Sequence, residues 1–404
     1  MLRLPFELIA QIFGYVALAE ELDQSALQRA MQLASISKYL RDIVIASPSL
    51  WTRIVVAPSS VRPSCAESEA LIFQTILARS GGLPLSLTVR MNLMTDIELY
   101  KIFPLIKSAF PQCRHLQLVD LAHLHDFILF PLADTLPHLV SLSITFHNPT
   151  SANLFQRAGL APRLRSLQLW HADIASLGPL ALEGLINLEL KSDFAMEGPK
   201  LAPFLGRCES LTHLRLRHRT KVRTAYPASP ILLPNLISLI APDCRYHSMF
   251  TMPKLKHLGC VGTAGEMSQS HLPNLERVTL EGITSRNSFA WGDVPWLLTI
   301  HTLGLVDVRS LDRVIEATLS RSSGPGHPWR LDNLQTIMIK LDPSFMGIDL
   351  RWFGLKVLRI FQRRRGIVIQ CEQEVIDKIT LVVSELEPYQ TRLAELTDPL
   401  IRDW

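Results

Sequence analysis

The chain opens with apolar residues at helical spacing. Leu8, Ile9, Ile12, Phe13 and Val16 fall on one stripe, and Pro5 and Glu7 stand where a first helical turn tolerates proline and favours an acid. Asp23 or Ser25 can cap a second helix carrying Leu27, Met31 and Leu33. Ser37 can cap a third, with Leu40, Ile43 and Val44 on its apolar side, and Ser47-Pro48-Ser49 stops it before Leu50-Trp51. Three short helices in about 48 residues enclose too little core for much independent stability. Such a module gains by burying its remaining apolar face on a partner.

The pattern then changes period. Residues 57–68 are rich in Pro and Ser and read as a connection. A helix is expected from about Glu69 to Arg79, with Gly81-Gly82 as its stop, and Leu83 to Val89 alternates like a strand. Beyond this point L-x-x-L-x-L, often with Pro two residues before it, can be read eleven times. Its apolar triplets begin with Cys113/Leu116/Leu118 and include Leu164/Leu167/Leu169, Leu211/Leu214/Leu216 and Leu255/Leu258/Cys260. The last two are Leu334/Ile337/Ile339 and Leu355/Leu358/Ile360. First positions run from 113 to 355 in ten steps, a mean of about 24 residues, inside the leucine-rich-repeat range of roughly 20–29.

Each such strand cannot bury its leucines alone, so stacked strands are expected to form one parallel sheet over a shared core, a curved solenoid. Regular leucine-rich repeats carry Asn or Cys three residues after the last leucine. Here Cys244 fits that place, with Asp193 and Asp342 as substitutes, so the solenoid is expected to be irregular. Ser320 to Trp329, within the longest step, reads as a protruding loop. Val375, Ile376, Ile379, Val382 and Val383 then break the pattern with an amphipathic helix, the expected cap on an exposed sheet edge.

The amino-terminal residues also carry a family resemblance. Leu4, Pro5, Glu7, Leu8, Ile12, Phe13 and Val16 match the first block of the F-box motif, and Arg41, Asp42, Ile43, Pro48, Leu50 and Trp51 match its last. Leu40 stands where the family often has Trp, and Ser37-Lys38-Tyr39 replaces its common cysteine-basic pair. The resemblance implies docking to the Skp adaptor of a Skp–cullin–F-box ubiquitin ligase, and through it to a cullin. The implied contact residues are Leu4, Pro5, Leu8, Ile12, Phe13, Val16, Leu40, Ile43, Pro48, Leu50 and Trp51. The expected fold is therefore α/β: a three-helix F-box over 1–56, a linker and helix over 57–82, an irregular leucine-rich-repeat solenoid over 83–366 and a helical cap over 367–404.

On a repeat strand, residues alternating with the leucines face away from the core. His213, Arg215 and Arg217 do so, and five of the nine residues from 215 to 223 are Lys or Arg. Trp170 and Arg277 are candidates for the same face. Clustered arginines can hold a carboxylate or phosphate through paired hydrogen bonds, and an exposed Trp is a typical interface anchor. These five residues are the candidate substrate-binding set, for an acidic or phosphorylated protein segment; a solvated charged edge is the plainer alternative. Arg363-Arg364-Arg365 forms a second basic cluster, suited to nucleic acid, to nuclear import or simply to a solvated turn.

Composition narrows the picture. The 404 residues are 48% hydrophobic and 19% charged, which excludes wholesale disorder, and a net charge of +4 is too small to imply nucleic acid as a partner. Six cysteines form no C-x-x-C pair, which favours reduced thiols and a cytoplasmic or nuclear location. Pro5, Glu7 and Gln11 interrupt what would be a signal peptide, and no run reaches the ~20 apolar residues of a membrane span.

No G-x-S-x-G, P-loop, H-E-x-x-H or dinucleotide fingerprint occurs. His123-Leu124-His125-Asp126 is more economically a chance pairing than a metal site, and Gly262 to Gly265 reads as a turn. The expectation is a non-catalytic substrate receptor without cofactor or metal. The alternative is a leucine-rich-repeat interaction scaffold with no ligase role.

Overall fold

Each apolar triplet among the described residues sits on a tight turn followed by a short strand. In the computed structural model the described residues are 5, 7–12, 31–32, 34–56, 66–90, 96–121, 136–150, 161–172, 182–192, 198–218, 230–243, 249–263, 272, 274–281, 300–306, 333–340 and 368–371. The chain divides into two compact units, Met1–Met196 with Arg219–Val222, and Glu197–His218 with Arg223–Trp404. The architecture is α/β, with few helices and a repeat-like succession of parallel strands.

In the first unit, β1 (Arg53–Val56), β2 (Leu85–Arg90), β3 (Cys113–Leu121), β4 (Ser141–Thr150), β5 (Ser166–Ala172) and β6 (Asn187–Ser192) pair in chain order, all parallel. In the second, β7 (His213–His218) pairs with β9 (Ser238–Asp243). Then follow β11 (His257–Thr263), β12 (Arg277–Glu281), β13 (Thr302–Val306), β14 (Thr336–Lys340) and β15 (Val368–Cys371), again all parallel. The short strands β8 (Ile231–Leu232) and β10 (Phe250–Thr251) form a separate parallel pair just before two of the turns. Helices bounded among the described residues include α1 (Lys38–Ile45), α2 (Ala66–Arg79), α3 (Asp96–Ala109) and α4 (Gly198–Leu205).

The repeat is held by two kinds of backbone contact. Within a repeat, the first leucine donates its N–H to the carbonyl three residues earlier: Leu139 to Leu136, Leu164 to Ala161, Leu236 to Leu233 and Leu255 to Met252, at 3.1–3.3 Å. Pro137, Pro162, Pro234 and Pro253 occupy the second place of these turns, where a φ already near −65° suits the geometry. That is the physical meaning of the recurrent proline.

Between repeats, one carbonyl accepts from two successive N–H groups of the next. Val140 O takes Arg165 N at 2.8 Å and Ser166 N at 3.0 Å, and Ile237 O takes Lys256 N at 2.9 Å and His257 N at 3.0 Å. His301 O does the same for Gln335 and Thr336, so the 34-residue step from Ile300 to Leu334 returns to the same register, with Leu303 opposite Ile337.

The core of each unit lies on the leucine side. Leu142, Leu167 and Leu188 face one another across β4, β5 and β6, and Leu214, Leu239, Leu258, Val278 and Leu303 do so from β7 to β13, all at most 2% exposed. Each such side chain contributes about 1.5–3 kcal/mol by leaving water. Cys113 and Cys260 fill leucine places as small buried residues, as expected, and Cys208 is buried beside them in kind. Burial pushes the Cys113 thiol up to about 12, so it is inert packing.

Arg53–Val56, at the end of the 1–56 segment, is a strand of the sheet, paired with Ser86–Val89. Val368–Cys371, expected within the closing cap, is a strand beside β14. The triplet Leu355/Leu358/Ile360, the apolar helix from Val375, and Cys244, Asp193 and Asp342 lie outside the described residues. The stop after α2 is as expected: Gly81 and Gly82 adopt φ of 62° and 76°, the left-handed region that favours glycine. Among the described residues no helix is long and apolar enough to cross a membrane.

Gly259 is needed for a different reason. A Cβ there would stand 2.8 Å from Ile240 Cγ1 and 3.1 Å from Ile240 Cγ2 on the neighbouring strand. Gly259→Ala is therefore expected to destabilise the second unit by about 1–3 kcal/mol. Much of that cost should disappear in the Ile240→Ala background, as a double-mutant cycle by urea denaturation would show.

Candidate functional site

Because strand side chains alternate, the residues between the leucines build one polar face on each unit. In the second unit, parallel register sets them in rows. His213, Ser238, His257, Arg277, Thr302 and Thr336 form one row, and Arg215, Ile240, Gly259, Thr279, Gly304 and Met338 the next. Four of the five candidate substrate-binding residues thus lie on this face: His213, Arg215, Arg217 and Arg277.

The centre of the face is a hydrogen-bonded bridge over three strands. His257 Nδ1 lies 3.0 Å from Ser238 Oγ on β9, and its Nε2 lies 2.8 Å from Thr279 Oγ1 on β12. Burial pushes the His257 imidazole down to about 4, and the charges of Arg277 and His213 push it the same way. A neutral imidazole donates from one nitrogen and accepts on the other, and hydroxyls, which can do either, serve both.

Arg215 and Arg217 reach much farther. Arg215 Nη2 lies 3.4 Å from Glu281 Oε2, and Arg217 Nη2 lies 3.3 Å from Glu281 Oε1. From β7 to β12 is three strand spacings, about 14 Å. On the intervening strands Ile240 and Gly259 follow Arg215 in its row, with the glycine leaving room for the isoleucine. Burial also draws the Arg277 guanidinium below its usual range.

Trp170 lies in the first unit, on the side of β5 away from the leucines. It is opposite Thr145 and Lys191, and Lys191 Nζ sits 4.4 Å from its ring centre in a cation–π contact. The next residue, His171, has φ of 62° where the β4–β5 register shifts. Trp170 is therefore partly covered by a lysine rather than standing open as an anchor.

The amino-terminal segment divides sharply. Ile43, Leu50 and Trp51, assigned to adaptor contact by resemblance, turn inward and are buried in the chain's own core. Trp51 Nε1 donates to Val44 O at 2.9 Å, and the Arg79 guanidinium lies 4.7 Å from its ring centre, so the indole ties α1 to α2. Ser37 caps α1 as expected, accepting from Leu40 N at 3.1 Å.

Pro5 and Pro48 are exposed and Leu40 is half-buried. Leu8, Ile12, Met31, Ile36, Tyr39 and Ile45 are each between 42% and 68% exposed. Leu4, Phe13 and Val16 lie outside the described residues, as do Arg219 to Arg223, Arg363 to Arg365 and His123 to Asp126. Among the described residues no group of three or more His, Cys, Asp or Glu is placed to hold a metal ion.

Glu281, His257, Ser238, Thr279 and Gly259 were missed as members of the polar face. The same alternation rule, applied to every strand rather than to the arginine-rich one, selects all five. That Arg215 and Arg217 meet Glu281 has no local signal, because 66 residues separate Arg215 from it.

No protein-family model and no curated protein matches the chain. A crystal structure of a Bacteroides fragilis protein, determined as a structural-genomics target, is similar over 58% of this chain and 66% of its own, just under two thirds. The sequence identity is 13% and the TM-score 0.32, too low to carry any argument.

The bridge makes stability depend on pH. The folded His257 titrates below its ordinary value of 6.5, so the unfolded chain takes up the proton first. Stability should therefore be full above about pH 6.5 and fall as pH drops towards about 4. In His257→Gln the slope of the urea midpoint against pH should flatten in that window.

Proposed function

We propose that this chain is the substrate-recognition subunit of a Skp–cullin–F-box ubiquitin ligase. The observation that carries the reading is the division within the amino-terminal segment. Its Trp51, Leu50 and Ile43 secure it to the body of the first unit, while Leu8, Ile12 and four other large apolar side chains stay exposed. Single exposed apolar residues need no explanation, but six within the described part of one short segment favour a partner that covers them. The F-box resemblance gives that partner its identity: the Skp adaptor, and through it a cullin.

The rest of the chain fits the receptor half of the role. A repeat-like parallel sheet offers a broad polar face, and the arginines of the second unit suit an acidic or phosphorylated segment of a substrate protein. Catalysis would then rest with the partner ubiquitin-transferring enzyme, and this chain would act by proximity in the cytoplasm or nucleus. A leucine-rich-repeat scaffold without ligase role is the competing reading, and the adaptor separates the two.

Tagged full-length protein should co-purify with the Skp adaptor. Leu4→Ala/Pro5→Ala and, separately, Leu8→Glu/Ile12→Glu should reduce recovery at least about tenfold, since burying an unpaired carboxylate in an interface costs several kcal/mol. Thermal melts of the variants should stay close to wild type because Leu8 and Ile12 are exposed. If the wild-type protein recovers no adaptor, the scaffold reading replaces this one.

A further inference from the structure

The turns that precede the strands build a further surface on the first unit. Leu85 pairs with Cys113, so Leu83-Pro84 ahead of β2 runs beside Pro111-Gln112 ahead of β3. Arg114, Val140 and Arg165 follow in successive steps, Val140 N donating to Arg114 O and Arg165 N to Val140 O at 2.8 Å each. Leu83 is 40% exposed, and Pro84, Pro111, Arg114, Arg163 and Arg165 are exposed with it. An apolar end formed by Leu83 and two prolines thus leads into three arginines. Among the described residues the side chains of Arg114 and Arg163 hold no hydrogen bond or ion pair, and Arg165 Nη1 donates to a backbone carbonyl, Gly184 O, at 2.7 Å. Exposed Glu183, the residue before Gly184, pairs with none of them. At the corresponding repeat positions of the second unit the cations are engaged: Lys256 Nζ lies 2.8 Å from Glu276 Oε1, and Lys254 Nζ donates to Asn235 Oδ1 at 2.8 Å.

We infer that this turn edge docks a protein segment in which a bulky apolar side chain is followed by carboxylates. Protein interfaces are enriched in Arg and depleted in Lys, Asp and Glu, and the turn positions of β2 to β4 carry no lysine and no acid. The edge is also held in shape before anything binds. Pro84 and Pro111 fix their own φ, Leu83 N donates to Ser80 O at 3.1 Å, and the Cys113 N–H bonds Phe110 O. Little freedom is then lost on docking. From β2 to β5 is three strand spacings, about 14 Å, which about five extended residues cover. The apolar residue of the partner therefore reaches Leu83, Pro84 and Pro111, and two or more Asp or Glu within about five positions of it reach the arginines. A nucleic acid suits the edge less, because it offers Leu and Pro and no exposed Phe, Tyr or Trp on which bases stack. The inference uses no residue of the amino-terminal segment and none of the five candidate capture residues, so it is independent of the ligase reading.

The test selects peptides from a random display library with the full-length protein as bait, and reads the affinities of enriched peptides by fluorescence anisotropy. Enriched sequences are expected to share an apolar residue followed by Asp or Glu, and their binding should weaken as salt rises. Arg114→Glu/Arg163→Glu should weaken them at least about tenfold, and Leu83→Asp several-fold. Both variants should melt close to wild type, because the changed side chains are exposed. Peptides with their acids changed to Lys should bind the Arg114→Glu/Arg163→Glu protein, a rescue that a misfolded variant does not give. Enrichment of no sequence, or of sequences without the apolar–acidic pattern, overturns the inference. Acidic peptides that hold the wild type and the double variant equally overturn it as well. So does tighter binding to a single-stranded oligonucleotide, or to phosphatidylserine vesicles, than to any enriched peptide, since the arginines then serve another class of partner.

Discussion

The strands among the described residues have two to ten residues each, too few to satisfy their own backbone or bury their own leucines. Every strand therefore depends on the strand it pairs with. The shared carbonyls of Val140, Ile237 and His301, each accepting from two N–H groups of the next repeat, supply that dependence in hydrogen bonds. The facing columns of leucines supply it in buried area. Since every repeat spends one side of its strand on the core, the opposite side of every strand is released for polar residues. A polar face on each unit follows from the ladder itself.

What occupies that face is set by register. His257 reaches Ser238 on one side and Thr279 on the other because parallel pairing places all three residues in adjacent rows. Arg215 and Arg217 meet Glu281 three strands away. These contacts link repeats at a second level, above the backbone ladder.

The amino-terminal segment obeys the same constraint. Its last residues, Arg53–Val56, are already a strand, and Ser86 N donates to Thr52 O at 2.8 Å where the pairing begins. Trp51 lies just before that strand and is buried beneath Arg79 at the end of α2. The segment is thus packed into the first unit through Ile43, Leu50 and Trp51, while Leu8, Ile12, Met31, Ile36, Tyr39 and Ile45 stay exposed.

Much of this was legible along the chain. Leucine spacing identified each described repeat strand from β3 to β14 other than the short β8 and β10 pair, proline marked the turns, Ser37 marked a helix start and Gly81-Gly82 a helix end. These are local signals, governed by side-chain alternation and backbone φ within a few residues. The burial of Trp51 and the covering of Trp170 by Lys191 were not legible, because a tryptophan in a motif carries the same letter whether it faces a partner or its own core. Nor was the meeting of Arg215 with Glu281, or the need for glycine at 259. Periodicity thus determined which residues belong to the core and which to the polar face. Only the tertiary structure decided which polar residues touch, because strand register converts separations of 19 to 66 residues along the chain into distances of a few ångströms in space.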